Sequence, residues 1–135
     1  MGFAFDELSS KVIAAAIDVH RALGPGFLES VYEQALRLEL TERGISFEPQ
    51  KEIRITYAGR TIGTHKLDLL VAGLMVVELK AVERFEDVHF AQVKSYLRAS
   101  RASLGLLINF SGTKLVVKRV VLGYVDNVID RRAVS

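Results

Sequence analysis

The hydrophobic period of this chain changes after its second predicted helix, and that change restricts the fold more than any single residue. Over Asp6 to about Leu23, the residues Leu8, Val12, Ala15, Ala16, Val19 and Leu23 recur at three- and four-residue spacing. That spacing marks an amphipathic helix, with Asp6 placed as its N-cap. Gly24-Pro25-Gly26 ends it. A second helix is predicted from about Leu28 to Arg43 on Val31, Tyr32, Ala35, Leu36 and Leu40, with Gly44 at its left-handed C-terminal position. Then Ile53, Ile55 and Tyr57 alternate with Glu52, Arg54 and Thr56, the period of a strand buried on one face.

The strand pattern continues. Ala58-Gly59-Arg60 reads as a turn into a strand over about Thr61 to Val71, and Ala72-Gly73 closes a hairpin into a third strand, Leu74 to Ala81. Polar Glu83 to Asp87 opens another helix that runs to about Ser100, with Val88, Ala91, Val93 and Leu97 as its buried positions. Leu104 to Phe110 is nearly all apolar, as in a strand covered on both faces, and Ser111-Gly112 turns the chain into a last strand, Lys114 to Val121. Residues 122–130 are expected to form a short terminal element or a partner contact, and Arg131 to Ser135 to fray. The order helix, helix, three strands, helix, strand, strand fits an α/β sandwich around one mixed sheet. A chain of 135 residues reads as one domain, residues 1–135, able to bury a core without disulfides.

Composition removes several classes of function. With no cysteine, disulfides, thiol catalysis and Cys-ligated metals are excluded, which is compatible with a reducing cytoplasm. The start, Met1 to Ser10, lacks a secretory pattern, and no apolar run approaches the roughly 18 residues that span a membrane. A soluble, cytoplasmic protein is expected. An apolar share of 50% leaves room for a hydrophobic contact surface, so a homodimer is the default expectation. The net charge of +2 is small, and cations such as Lys66, Lys94, Arg98, Lys114, Lys118 and Arg119 are scattered, so charge alone does not mark a nucleic-acid binder.

Chemistry concentrates on the predicted hairpin. Glu78-Leu79-Lys80 is the one place where an acidic residue is followed two positions later by lysine, and Asp68 lies ten residues upstream. Residues two apart on a strand share a face, so Glu78 and Lys80 project together, with Asp68 on the neighbouring strand. Two carboxylates there suit a hard divalent cation, a standard device for phosphodiester hydrolysis. The ordinary alternative is a solvated Glu and Lys at a sheet edge. Yet the strand is otherwise apolar, and charges on such a strand cost free energy unless paired or bound to an ion.

Other residues are weaker candidates. Glu29 neighbours Tyr32 at a helix start, where a Glu usually only compensates the helix dipole. His89, Gln92 and Tyr96 share a polar-aromatic helix face, and the Gln92 amide can orient a phosphate or a water. Alternation puts His65 out of phase with Asp68, hence on the other sheet face, and puts Lys66 in phase. Asn109 either caps the buried strand or lines the site. No nucleophile elbow, phosphate-binding loop, zinc helix or dinucleotide fingerprint is present.

Gly26-x-x-Glu29-x-x-Tyr32 resembles the signature of the GxxExxY protein family, of the PD-(D/E)XK nuclease superfamily. The likeness continues through Val19-His20, Leu67-Asp68-Leu69-Leu70-Val71, Val77-Glu78-Leu79-Lys80-Ala81, His89-x-x-Gln92-x-x-x-Tyr96-Leu97 and Gly105-Leu106-Leu107-Ile108-Asn109-Phe110. The resemblance implies a restriction-endonuclease-like αβββαβ core. It implies that Asp68 and Glu78 ligate Mg2+ or Mn2+, with Glu29 as the helix carboxylate completing the metal site. Lys80 would orient and activate the attacking water, and Gln92 matches a glutamine that borders such sites. The superfamily's degenerate proline is Leu67 here. The expected activity is metal-dependent cleavage of DNA or RNA; the rival is a catalytically silent, dimeric binding or regulatory module.

Overall fold

The computed structural model describes the backbone of residues 3–128 and the side chains of residues 6–123. Helices α1 (Phe3–Leu23) and α2 (Glu29–Glu42) precede strands β1 (Phe47–Tyr57), β2 (Arg60–Val71) and β3 (Met75–Lys80). Helix α3 (Asp87–Ser100) leads to β4 (Leu104–Asn109), β5 (Val116–Val121) and β6 (Tyr124–Val128). The strands form one six-stranded sheet in sequence order. All neighbours are antiparallel except β3 and β4, which run parallel because α3 carries the chain back across the sheet.

Both faces are covered. Ile17, Tyr32, Leu36 and Leu40 from the first two helices pack with Leu69, Val77, Leu79, Leu106 and Ile108. On the opposite face Val93 and Leu97 of α3 pack with Ile53, Leu67, Leu70, Val76 and Leu107. This double coverage is why β3 and β4 are nearly unbroken apolar runs. Gly105 lets α3 approach closely: a Cβ there would lie 2.6 Å from Cγ1 of Val93.

Several predicted boundaries shift. Helix α1 begins at Phe3, so Asp6 lies in its first turn instead of capping it; Phe3, Ala4 and Phe5 include no helix breaker to delay the start to Asp6. Strand β1 begins at Phe47, and its Pro49 is tolerated because the strand is a sheet edge. Tyr57, expected on the buried face, is 73% exposed. The register shifts between Ile55 and Thr56, so the buried phase is lost before Tyr57 is reached. Ala58 and Gly59 then form the hairpin with φ of 51° and 76°, the left-handed pair a two-residue turn requires. The terminal element expected over 122–130 is strand β6 as far as Val128; the fraying expected at Arg131 to Ser135 falls outside the described residues.

Candidate active site

The chemistry predicted for the hairpin assembles where two strands stop pairing. The β2–β3 ladder runs from Val71↔Met75 to Leu69↔Val77 and ends there. At the next position Asp68 turns its carboxylate inward, and Oδ2 accepts the Leu79 N–H at 2.8 Å. A side-chain oxygen thus replaces the missing strand acceptor and fixes Asp68 beside β3. Glu78 is 5% exposed, and its Oε1 is buried with no hydrogen-bond partner. Burial, then the adjacent Asp68 carboxylate, which can accept a hydrogen bond from a protonated Glu78, push the Glu78 pKa up to about 9 against the opposing charge of Lys80. Ionising Glu78 beside Asp68 is therefore costly, and a nearby cation lowers that cost.

His65 lies on the sheet face of Glu78, not on the opposite face that strict alternation predicts. His65 Nε2 lies 3.9 Å from Oε1 of Glu78, and its ring stacks on Tyr96 of α3 with centroids 4.0 Å apart. Strict alternation breaks at Asp68, although the register with β1 is the same on either side of it. Leu67 and Leu70, three apart, both pack under α3, while Leu69 and Val71 pack under the first two helices. The break faces Gln50 of β1, which has φ of 50° and is skipped between the register pairs Pro49↔Leu69 and Lys51↔Leu67. Before that break Lys66 takes the phase opposite to His65, and it is exposed. Burial lowers the His65 pKa, with Lys80 adding to the effect and Asp68 opposing it. Burial raises that of Tyr96, reinforced by Glu78 and Asp68.

The surrounding elements are held by specific bonds. Asn109, paired with Lys80 across the parallel strands, clamps the loop after the lysine: its Nδ2 donates to Val82 O at 2.8 Å and its Oδ1 accepts the Val82 N–H at 3.1 Å. Asn109 therefore ties down the strand end that carries Lys80. Gln92, half-buried on α3, lies one turn before Tyr96 and so on the same helix face. His89 serves the helix start instead, its Nδ1 accepting the Glu86 N–H at 2.9 Å.

Glu29 is exposed in the first turn of α2, a helix whose buried side packs on the face opposite Glu78. Tyr32, one turn later, stacks on Phe110 with centroids 4.6 Å apart, and the Phe110 N–H donates to Lys80 O at 2.9 Å. The start of α2 therefore lies at the sheet end where Lys80 emerges. Tyr32 itself is a latch: its hydroxyl donates to Gly24 O at 2.6 Å and accepts the Phe27 N–H at 3.2 Å. Among the described residues no group of three or more His, Cys, Asp or Glu side chains is arranged to hold a metal ion. The structure thus brings together Asp68, Glu78, Lys80, His65 and Tyr96, and places Gln92 and Glu29 on the flanking helices.

A mixed sheet flanked by helices, with a buried carboxylate pair and a lysine on adjacent central strands, defines an α/β protein of restriction-endonuclease-like fold. The model of the PD-(D/E)XK nuclease superfamily matches residues 6–120, and the chain belongs to that superfamily. Among solved structures it is similar to one titled "Crystal structure of SSO0001", with a TM-score of 0.53 and 17% identity over 68% of this chain. The chain spans about half, 48%, of that protein, and at this identity the likeness concerns the fold. No curated protein matches the chain. Among the described residues no helix is long and apolar enough to cross a membrane.

Proposed function

We propose that this protein is a divalent-metal-dependent nuclease, of the GxxExxY type, that hydrolyses phosphodiester bonds of DNA or RNA. The observation that carries the reading is the buried, unpartnered Oε1 of Glu78 beside Asp68. Such an atom is costly unless a cation or a proton satisfies it, and Mg2+ or Mn2+ is commonly held by one or two carboxylates together with substrate phosphate. The donor pair therefore fits: Asp68 and Glu78 would hold the ion, and Glu29, exposed at the start of α2, is the third carboxylate that the resemblance implies. When bound, a divalent cation supplies Lewis acidity toward the scissile phosphate.

The chain's own groups do the rest. The Leu79 amide fixes one oxygen of Asp68, leaving the other free to ligate. Lys80, steadied by the Asn109 clamp, orients the attacking water and offsets negative charge as it develops on the phosphate. Gln92 presents an amide to a phosphate oxygen or a water from α3. The His65–Tyr96 stack shields the carboxylates from bulk solvent and holds their local dielectric low. Exposed Phe27, Leu28 and Leu38 on and before α2, with 48%, 75% and 70% exposure, support a homodimer as the assembly. A single domain in the cytoplasm completes the reading.

The second reading is a nuclease-derived binding module without turnover. It is favoured by one observation: among the described residues no group of three or more His, Cys, Asp or Glu side chains is arranged to hold a metal ion. Purified protein with Mg2+ or Mn2+ on single- and double-stranded DNA and RNA separates the two. Cleavage that disappears in both Asp68→Asn and Lys80→Ala supports the enzyme. Absent cleavage, or cleavage unchanged in the variants, leaves the binding module.

A further inference from the structure

A groove of about 670 Å³ runs between edge strand β1 and the C-terminal half of α3, on the sheet face that carries Glu78. Its floor is apolar, Ile53, Ile55 and Leu70, and Lys51, Arg54, Arg98 and Arg101 line it without any acidic residue. Lys51 keeps a loose pair with Glu48 at 3.4 Å, both half-exposed. Arg98 and Arg101 are exposed and have no acidic partner among the described residues. Arg101 is also backbone-strained: it caps α3 at φ 60°, a left-handed position that favours glycine. The chain thus keeps a guanidinium where an ordinary helix end would lose its side chain, and strain of this kind clusters at sites of function.

The groove leads to the carboxylates. Ile53 on its floor is the register partner of His65, and His65 lies beside Glu78. From β1 to β3 is two strand spacings, about 10 Å, a few nucleotides along one strand.

We infer that this groove, through Lys51, Arg98 and Arg101, binds the sugar-phosphate backbone of a single strand of nucleic acid and leads it toward Asp68 and Glu78. The inference rests on the nuclease reading for its direction, while its contacts stand on charge alone. A cleft bounded by one helix and one strand admits one backbone, and its cations face the phosphates while the apolar floor takes sugars and base faces. No base edge need be read, so the binding is tolerant of sequence.

The test is fluorescence anisotropy of a labelled single-stranded oligonucleotide in EDTA, where no cleavage occurs, repeated over a salt series. Each cation that contacts a phosphate should contribute about 0.7 to the slope of log affinity against log salt. Arg98→Ala and Arg101→Gly are expected to weaken binding and lower the slope, each by about that amount. Lys11→Ala, on the helix pair of the opposite face, leaves both unchanged. Arg101→Gly relieves the left-handed strain, so its melting temperature should hold or rise while affinity falls; weaker binding cannot then be ascribed to unfolding. Unchanged slopes in both groove variants, no binding by the wild type, or tighter binding of duplex than of single strand would each overturn the inference. Because no metal is present, it can survive loss of the nuclease reading, and cleavage lost in Asp68→Asn with unchanged groove slopes would sink the groove alone.

Discussion

The side-chain amide of Gln50 donates to Oε1 of Glu33 at 2.9 Å, tying edge strand β1 to helix α2. Glu33 is buried and also pairs with Arg37. Gln50 is the left-handed residue opposite Asp68, so this bond holds the distortion that lets Asp68 and His65 share a face.

Gln50→Ala should therefore cost about 1 kcal/mol from the lost hydrogen bond, seen as a lower denaturant midpoint. It should also shift the imidazole resonances of His65, since the break in β2 loses its brace. A variant with wild-type His65 resonances would show that the break is held by other contacts.

Folding raises the Glu78 pKa from 4.5 to about 9. Between those values the folded protein holds a proton that the unfolded chain has released, so stability is full below about 4.5 and falls as pH rises toward 9. The loss can reach about 1.4 kcal/mol per pH unit. Melting curves in EDTA should show this slope in the wild type and a flatter profile in Glu78→Gln. Mn2+ favours the ionised pair and should raise the melting temperature more at about pH 8 than at about pH 6. Parallel profiles for the two proteins would refute the assignment of the buried proton.

Tyr32→Phe removes the donor to Gly24 O and the acceptor of the Phe27 N–H while keeping the stack on Phe110. A loss of about 1–3 kcal/mol is expected in urea unfolding, because two backbone groups lose their partner. A loss under about 0.5 kcal/mol would mean that water replaces the hydroxyl there.

Gly105→Ala places a methyl group 2.6 Å from Cγ1 of Val93, a β-branched side chain with little freedom to turn away. Helix α3 must shift, at a cost of about 1–3 kcal/mol. The shift should carry Tyr96 off His65, so cleavage should fall along with the melting temperature; a stable variant with wild-type cleavage would contradict the close approach.

How much of this was legible in the sequence depends on how far each relation reaches along the chain. Asp68 and Glu78 are joined by a short hairpin, and the Ala72-Gly73 turn sets their register locally, so period and turn chemistry were enough. His65 was misplaced because strict alternation assumes a regular ladder. The break that turns it toward Glu78 depends on Gln50 on another strand and on Glu33 on a helix, which no local pattern encodes. Tyr57 failed for a similar reason, a register shift in the β1–β2 ladder. Lys51 and Arg101 carry no signal in the sequence beyond their charge, since only the packing of α3 over β1 brings them to one groove.

The contrast in reach between the hairpin and the groove has an evolutionary consequence. The carboxylates and Lys80 sit on two sequential strands whose geometry is set by their own turn, whereas the groove is built from an edge strand and the exposed end of a helix. Substitutions at Lys51 and in the last turn of α3 can therefore alter the charge of the groove without touching the acidic hairpin, whereas Gln50 on the same strand lies opposite Asp68. The proposed hydrolytic site is thus built on one local turn, and the proposed binding groove on long-range packing that side-chain changes can vary.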